Sequence, residues 1–276
     1  MASPNDYWSM TEGVFNCLID EERTQAFAAA IAKTVRPGDV VVDMGAGSGV
    51  LAMLAARGGA KRVYAVEFDR NNIVTLEGIF RANGLADKIT LVQGDVCKVA
   101  LPEKVDVIIG EMIATALVEE LQVPAMNNML RFAKRSTRVL LSRYRSFVDL
   151  VHNPETYYGF DFPLVRYEYS GMPGLKSRAL SDKQLISDVN FAKPVTDRKV
   201  NQRLTLEVRK KGRLNGLRLS GETTFWDGST LGASYAYSYP LILPIAPREV
   251  RKGEVLPVRI RYTLCGGMKS LRYVVE

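Results

Sequence analysis

Apolar residues recur at intervals of three and four through FNCLIDEERTQAFAAAIAKTV (15–35), the spacing of one helix face, and Pro37-Gly38 stops the run. Residues 1–36 therefore read as helical. The period then changes. VVVDMG (40–45) is a short continuous apolar run closed by glycine, as a buried parallel strand should be. A helix rich in small residues is expected over 48–57, a strand in RVYAVEFD (62–69), and a helix over 71–83 stopped by Gly84. KITLVQGD (88–95) and KVDVIIGE (104–111) read as strands, 115–133 as a helix, and TRVLLSR (137–143) as one more strand. Strands alternating with helices predict a doubly wound, mostly parallel α/β sheet of Rossmann-like type.

Beyond residue 143 the rhythm shortens. RLTLEVRK, GLRLSGETTFW, ASYAYSYPLIL, VLPVRIRYTL and SLRYVVE alternate like antiparallel strands. Two domains are expected: an α/β domain over 1–142, and a β-rich domain, sandwich or barrel-like, over 143–276. No internal repeat is visible.

Composition narrows the class. The chain has 276 residues, 47% hydrophobic and 24% charged, an ordinary globular balance with enough length for a sizeable core. It has no apolar run of membrane-spanning length, and its first residues lack the basic and apolar regions of a secretory signal, so a cytoplasmic location with no membrane partner is expected. Three scattered cysteines (Cys17, Cys97, Cys265) and one histidine (His152) form neither a disulfide framework nor a zinc site, and no metal is expected. The net charge of +7 is uneven: residues 143–276 hold 22 Lys and Arg against 13 Asp and Glu. A basic second half suits an acidic partner such as RNA, or is simply a solvated surface.

The chemistry concentrates in Asp43-Met44-Gly45-Ala46-Gly47-Ser48-Gly49. Glycines let the turn after the strand tighten and let backbone approach a ligand, and the next helix points its N-terminus into the crevice. Such a loop alone is weak, because purely structural turns share it. Context strengthens it. Glu67 ends the next strand, where a carboxylate can accept both ribose hydroxyls, and Asp95 follows the third strand, where an adenine would lie. Position 50 is Val, so the dinucleotide spacing GxGxxG is absent. Three acids at three strand ends fit a nucleoside carrying an amino acid. The plainer reading makes Asp95 a turn cap and Glu67 a surface residue.

The string VVDMGAGSGVLAMLAARGGAKRVYAVE, followed by KITLVQGDVCKVALPEKVDVIIGEMI, resembles the protein arginine methyltransferases, a family of class I S-adenosylmethionine-dependent methyltransferases. The resemblance is good over about 7–142 and traceable beyond, through YYGFDF (157–162) and SDKQLIS (181–187). It implies S-adenosyl-L-methionine as cofactor, S-adenosyl-L-homocysteine as product and a nitrogen nucleophile in protein. It also implies that Arg23, in LIDEERT, pairs with the carboxylate of the cofactor's methionine part. Val96 would lie beside Asp95 at the adenine, with Cys97 where an acid is common. Glu111 and Glu120, nine residues apart in GEMIATALVEE, would form the two-glutamate clamp on a substrate guanidinium, with Glu119 an adjacent competitor. Tyr7 and Trp8 would fold over the cofactor, and the segment matching YYGFDF would make a homodimer arm.

Two departures bear on the substrate. The family's aromatic pocket loop reads Met112-Ile113-Ala114-Thr115 here, and its Thr-His-Trp loop has no counterpart; ASYAYSYPLIL stands roughly in its position. An RNA or small-molecule methyltransferase is thus an alternative, as is a non-enzymatic binding module that keeps the cofactor fold.

Overall fold

The computed structural model describes residues 12–169 and 174–276; Tyr7 and Trp8 lie outside the described residues. The single helix expected over 1–36 is two, α1 (Glu12–Ile19) and α2 (Glu21–Thr34). Asp20 breaks it. Its backbone is extended and its carboxylate accepts the N–H of Arg23, an N-cap that Glu21 and Glu22 reinforce at the positive helix end. Hydrophobic period could not reveal the break, since the apolar stripe runs through it.

The chain then alternates through β1 (Val40–Met44), α3 (Val50–Arg57), β2 (Arg62–Glu67), α4 (Arg70–Ala82), β3 (Ile89–Gln93) and β4 (Val105–Ile109). The helix expected over 115–133 is not formed as one. Thr115–Leu117 is a 3₁₀ turn, α5 spans Gln122–Met129, and Leu130–Phe132 is a second 3₁₀ turn. Ala116, Leu117 and Glu120 have φ of 57, 53 and 46°, which an α-helix of L-residues excludes. Pro124 sits in the first turn of α5, where its missing N–H has no partner to lose. The strand expected over 137–143 divides at Leu140: β5 (Ala133–Val139) closes the first sheet and β6 (Leu141–His152) begins the second.

The first sheet is parallel throughout, in the order β3-β2-β1-β4-β5. β1 is buried at every position. The strand order reverses between β1 and β4, so the crevice opens beyond Met44 and Ile109.

The second region is antiparallel. It continues with β7 (Thr156–Tyr157), β8 (Phe160–Asp161), β9 (Arg166–Tyr167), β10 (Arg178–Ala179), β11 (Gln184–Asn190) and β12 (Lys199–Glu207). After these come β13 (Gly212–Phe225), β14 (Thr230–Leu231), β15 (Leu241–Val250), β16 (Val255–Thr263) and β17 (Arg272–Val275). One sheet runs β10-β6-β13-β15-β9, with β11 also on β6 and β14 on β13; β12-β16-β17 form another; β7 and β8 make a hairpin. Their inner faces meet where Tyr262 of β16 lies against Ser146 and Tyr144 of β6. ASYAYSYPLIL, expected as a strand, becomes one only at Leu241. Residues 232–240 are a loop between Gly232 and Pro240, with Ser238 at φ 50°.

One apolar core joins the two regions. Phe27 of α2 packs edge-on against Phe225 of β13 (5.1 Å) and Tyr237 (6.2 Å). Among the described residues no helix is long and apolar enough to cross a membrane.

Candidate active site

β1 delivers Asp43 and the glycine loop to the crevice. Gly45, Gly47 and Gly49 all have positive φ. Gly49 is needed twice over: its φ is 77°, and a Cβ there would stand 2.6 Å from Phe80 and 2.9 Å from Leu76 of α4. Asp43 is buried, and neither carboxylate oxygen has a hydrogen-bond partner. Burial pushes its pKa from 3.8 up to about 7; the Ala52 N–H, near but outside hydrogen-bond geometry, and the charge of Arg23 oppose the rise, and Glu67 adds to it. A buried carboxylate without donors is unfavourable until a cation arrives. The residues present therefore fit a ligand with an ammonium group, as the methionine part of S-adenosylmethionine has.

Glu67 closes β2 and is buried rather than on the surface. One oxygen accepts from Gly47 N–H (3.1 Å) and Asn72 Nδ2 (3.0 Å); the other accepts from Asp69 N–H (2.9 Å). Asn72 also donates to the Gly47 carbonyl (2.8 Å), so one side chain ties the loop to the acid. A carboxylate has about four acceptor positions, which leaves Glu67 capacity for a ribose hydroxyl. Asp95 accepts from Cys97 N–H (2.9 Å) and pairs with Lys98 (3.1 Å), capping the turn over 95–98. Val96 is buried, and Asn128 of α5 donates to its carbonyl (2.8 Å).

β4 delivers the other half of the site. Gly110 has φ 121°, and a Cβ there would lie 2.6 Å from the backbone of Met44, so glycine lets β1 and the next loop touch. Glu111 follows. One of its oxygens accepts from Ile113 N–H (2.7 Å) and the other from Arg23 Nε (3.0 Å) and Nη2 (2.6 Å). Both side chains are nearly inaccessible, at 6% and 7% exposure, so this is a buried ion pair rather than a surface one. The Arg23 backbone N–H goes to Asp20, while its guanidinium meets Glu111 and, through Nη1, the Cys17 carbonyl (3.1 Å). Two of its five N–H donors then remain.

Glu120 comes close to Glu111. Burial, then the charges of Glu111 and Glu119, push its carboxyl well above the usual range, against the pull of Arg23. Glu119 turns elsewhere and accepts the Tyr167 hydroxyl (2.6 Å). The positive φ of Glu120 separates the two neighbours.

Several contributors were not singled out in the sequence. The buried Tyr144 meets Ala116 N–H (3.3 Å) and Ser238 Oγ (2.7 Å). Thr115 donates to the Tyr239 carbonyl. Asp20 accepts from Ser234 (2.5 Å) and from Ala236 N–H (2.6 Å). The loop over 232–240 is thus fastened to both α2 and the carboxylate loop. Tyr167, which holds Glu119, clusters with Tyr239 and Tyr169, the last two meeting edge-on at 4.6 Å, so the second region supplies aromatic surface that Met112–Thr115 lacks. One signal was available for Asn72, a polar residue that shares the buried stripe of α4 with Leu76 and Phe80.

Comparison with known proteins agrees with this fold. A family described as ribosomal protein L11 methyltransferase (PrmA) matches over residues 21–142. The uncharacterized protein MJ1452 of Methanocaldococcus jannaschii is 30% identical over 262 residues, 94% of either chain. The probable histone-arginine methyltransferase 1.3 of Arabidopsis thaliana is 44% identical over 107 residues, 38% of this chain, and the match spans 20% of that protein's length. Among solved structures, the Trypanosoma brucei PRMT1 enzyme-prozyme heterotetrameric complex with AdoHcy superposes with a TM-score of 0.75 at 20% identity, covering 95% of this chain and 96% of that one.

Proposed function

We propose the acceptor from one premise: the chain belongs to the same family as the Methanocaldococcus jannaschii protein, and it is a class I S-adenosylmethionine-dependent methyltransferase resembling the protein arginine methyltransferases. The acceptor is the guanidinium of an arginine side chain in a protein. The observation that carries this reading is the buried carboxylate pair, Glu111 and Glu120, in which Glu111 already binds a guanidinium, that of Arg23.

When bound, S-adenosylmethionine supplies a methyl group activated by its sulfonium. Asp43 would hold the ammonium of that cofactor, the two remaining Arg23 donors its carboxylate, Glu67 its ribose, and Asp95 with Val96 its base. Gly45, Gly47 and Gly49 would let the backbone come close. Glu111 and Glu120 hold the substrate guanidinium and localise its charge, so that one nitrogen keeps electron density for attack. Methylation leaves that nitrogen with a surplus proton. Glu120, with a pKa raised by burial and like charge, is suited to take it.

The test is transfer of radiolabel from S-adenosylmethionine into host lysate, with RNase-treated and protease-treated portions and Glu111→Gln as control. Label that survives RNase, is lost with protease and needs Glu111 supports a protein arginine. Label lost with RNase replaces this reading with an RNA methyltransferase, and cofactor binding without any label replaces it with a binding module.

The same reading makes the chain a homodimer through the hairpin β7–β8. Its turn, Tyr158-Gly159, has positive φ at both residues, a tight hairpin turn, and Tyr158 and Phe160 are exposed at 96% and 68%. A two-stranded hairpin with bare aromatics has little stability of its own. In sedimentation at micromolar concentration, Tyr158→Ser with Phe160→Ser is expected to convert a dimer to a monomer; a monomeric parent protein would remove this part of the reading.

A further inference from the structure

The sheet β12-β16-β17 has one buried and one exposed face. In β16, Leu256, Val258, Ile260 and Tyr262 point inward, so Arg259 and Arg261 point out. Register brings three strands' arginines together. Arg203 of β12 stands directly opposite Arg259, and Arg272 of β17 directly opposite Arg261. Cross-strand partners lie about 5 Å apart and alternate residues of a strand about 7 Å apart, so Arg203, Arg259, Arg261 and Arg272 form a continuous zigzag across the sheet. Lys199 extends the row on β12.

Like charges placed directly opposite destabilise a sheet. Among the described residues none of these four guanidinium groups forms an ion pair. Glu207 pairs with Arg209 and Glu254 with Arg248, and Glu276 lies opposite Pro257, diagonal to Arg259 on the same face. Arg259 Nε is buried with no hydrogen-bond partner. Arg272 spends Nη1 on the carbonyls of Lys269 (2.9 Å) and Leu271 (2.7 Å), and Glu276 is the one acid among the described residues on this part of the face, so four guanidinium groups keep a surplus of positive charge and constitute a site for an anion supplied from outside.

We infer that this face binds the phosphate backbone of single-stranded RNA. A guanidinium fork matches phosphate geometry. The basic row runs across three paired strands and not along a helix or a two-stranded ribbon that could enter a groove, so it suits an extended strand rather than a duplex. Its basic part carries no aromatic residue: Tyr262 and Tyr273 point to the other side, with the Tyr273 hydroxyl on the Pro244 carbonyl. Without stacking partners, binding discriminates little among bases. The face also carries none of the aromatic residues enriched at the centre of protein interfaces. The strand also leads to the active site. Just past β16, Cys265 N–H donates to the Leu117 carbonyl and Gly267 N–H to that of Val118, in the carboxylate loop. RNA bound here is held on the strand that continues into that loop.

Fluorescence anisotropy of the full chain with a labelled 12-nucleotide single-stranded RNA of mixed sequence tests this. The comparison probes are a duplex DNA of the same sequence and a poly-glutamate peptide. The variant Arg203→Gln/Arg261→Gln/Arg272→Gln is set against Lys61→Gln/Lys210→Gln/Lys211→Gln, which removes the same charge from exposed sites elsewhere. The parent protein is expected to bind the RNA with a slope of log affinity on log salt near −0.7 per phosphate contact, about −3 for four. The arginine variant is expected to lose at least tenfold in affinity and about two units of slope, while the lysine variant stays within about twofold. Retained binding of S-adenosylhomocysteine certifies its fold, and Arg203→Gln alone, with about a threefold loss, serves if the triple variant does not fold. Equal losses in both variants, tighter binding of the peptide or duplex, or no RNA binding at 50 mM salt each overturn the assignment. None of these readouts depends on the methyl acceptor.

Discussion

Two acids of the crevice, Glu67 at the end of β2 and Glu120 in the loop before α5, are treated in opposite ways. Glu67 receives three hydrogen bonds from Gly47, Asn72 and Asp69. Glu120 sits on a residue with left-handed backbone and faces two further carboxylates, and its pKa is driven upward. The first arrangement is complete before any ligand arrives, so it builds a rigid cradle. The second is electrostatically frustrated, and a cation or a proton relieves it. A protein that holds one ligand for orientation and reacts with another can place satisfied groups around the neutral part of the first and keep unsatisfied carboxylates, Asp43 and Glu120, for the cations of each.

The contrast breaks most visibly at Glu111. Glu111→Gln is expected to lower kcat/KM for methyl transfer by about 10²–10³-fold while S-adenosylhomocysteine binding changes by less than tenfold. If cofactor binding collapses in parallel with activity, the Arg23–Glu111 pair belongs to the cradle and the division proposed above is wrong. Gly110→Ala comes next. Its Cβ would meet the Met44 backbone, and the left-handed φ adds strain, so a destabilisation of about 3 kcal/mol is expected, read from urea unfolding. Asn72→Ala removes both of its hydrogen bonds inside the cradle, and about 1–3 kcal/mol of stability should go with them. A larger effect of Asn72→Ala on methyl acceptance than on cofactor affinity would contradict its assignment to the cradle.

These residues also mark what the sequence discloses. The parallel sheet was legible because each strand is a short apolar run closed by Gly or an acid and separated by helical spacing. The glycine loop and the acids at three strand ends were legible for the same reason: strand ends are where a ligand meets an α/β sheet. The carboxylate loop was misread as helix. LVEELQVPAMNNML has apolar spacing that fits a helix, and periodicity does not register three residues with positive φ. Pro124 was the overlooked sign, since proline inside a long helix marks a start. The loop over 232–240 was misread because alternating Ser and Tyr mimic a strand, whereas what fixes it is tertiary: Asp20, Thr115 and Tyr144 tie it down from other elements. No local pattern carries that information.

Asp43 sharpens the comparison through pH. Its folded pKa of about 7 exceeds the unfolded value of 3.8, so between these values the native state holds a proton that the unfolded chain has released. Stability from this group is therefore greatest below pH 4 and declines as pH rises towards 7. A bound ammonium favours the ionised form, so cofactor affinity should run the other way. It is expected to climb by up to about tenfold per pH unit below 7 and to level off above it. Calorimetric titration of S-adenosylhomocysteine from pH 5.5 to 8.5 reads this, and Asp43→Asn should flatten the profile. A flat profile in the parent protein would mean that another group balances the ammonium.

The smallest effect lies in the second region, where the same logic of unsatisfied charge recurs on a surface. Arg203 and Arg259 repel across the strand pair with no acid between them, and Arg259 carries an orphaned Nε. At the surface, water screens such a pair, so its strain is a few tenths of a kcal/mol. Arg203→Gln should accordingly raise the melting temperature by about 1–2 °C at low salt, and the gain should vanish at high salt. Most substitutions of an exposed strand residue are neutral or mildly harmful, so a rise is informative. It would mean that the fold tolerates the arginine for something other than its own stability. A fall would mean that Arg203 contributes packing through its stem, and that the zigzag is compensated by contacts other than ion pairs.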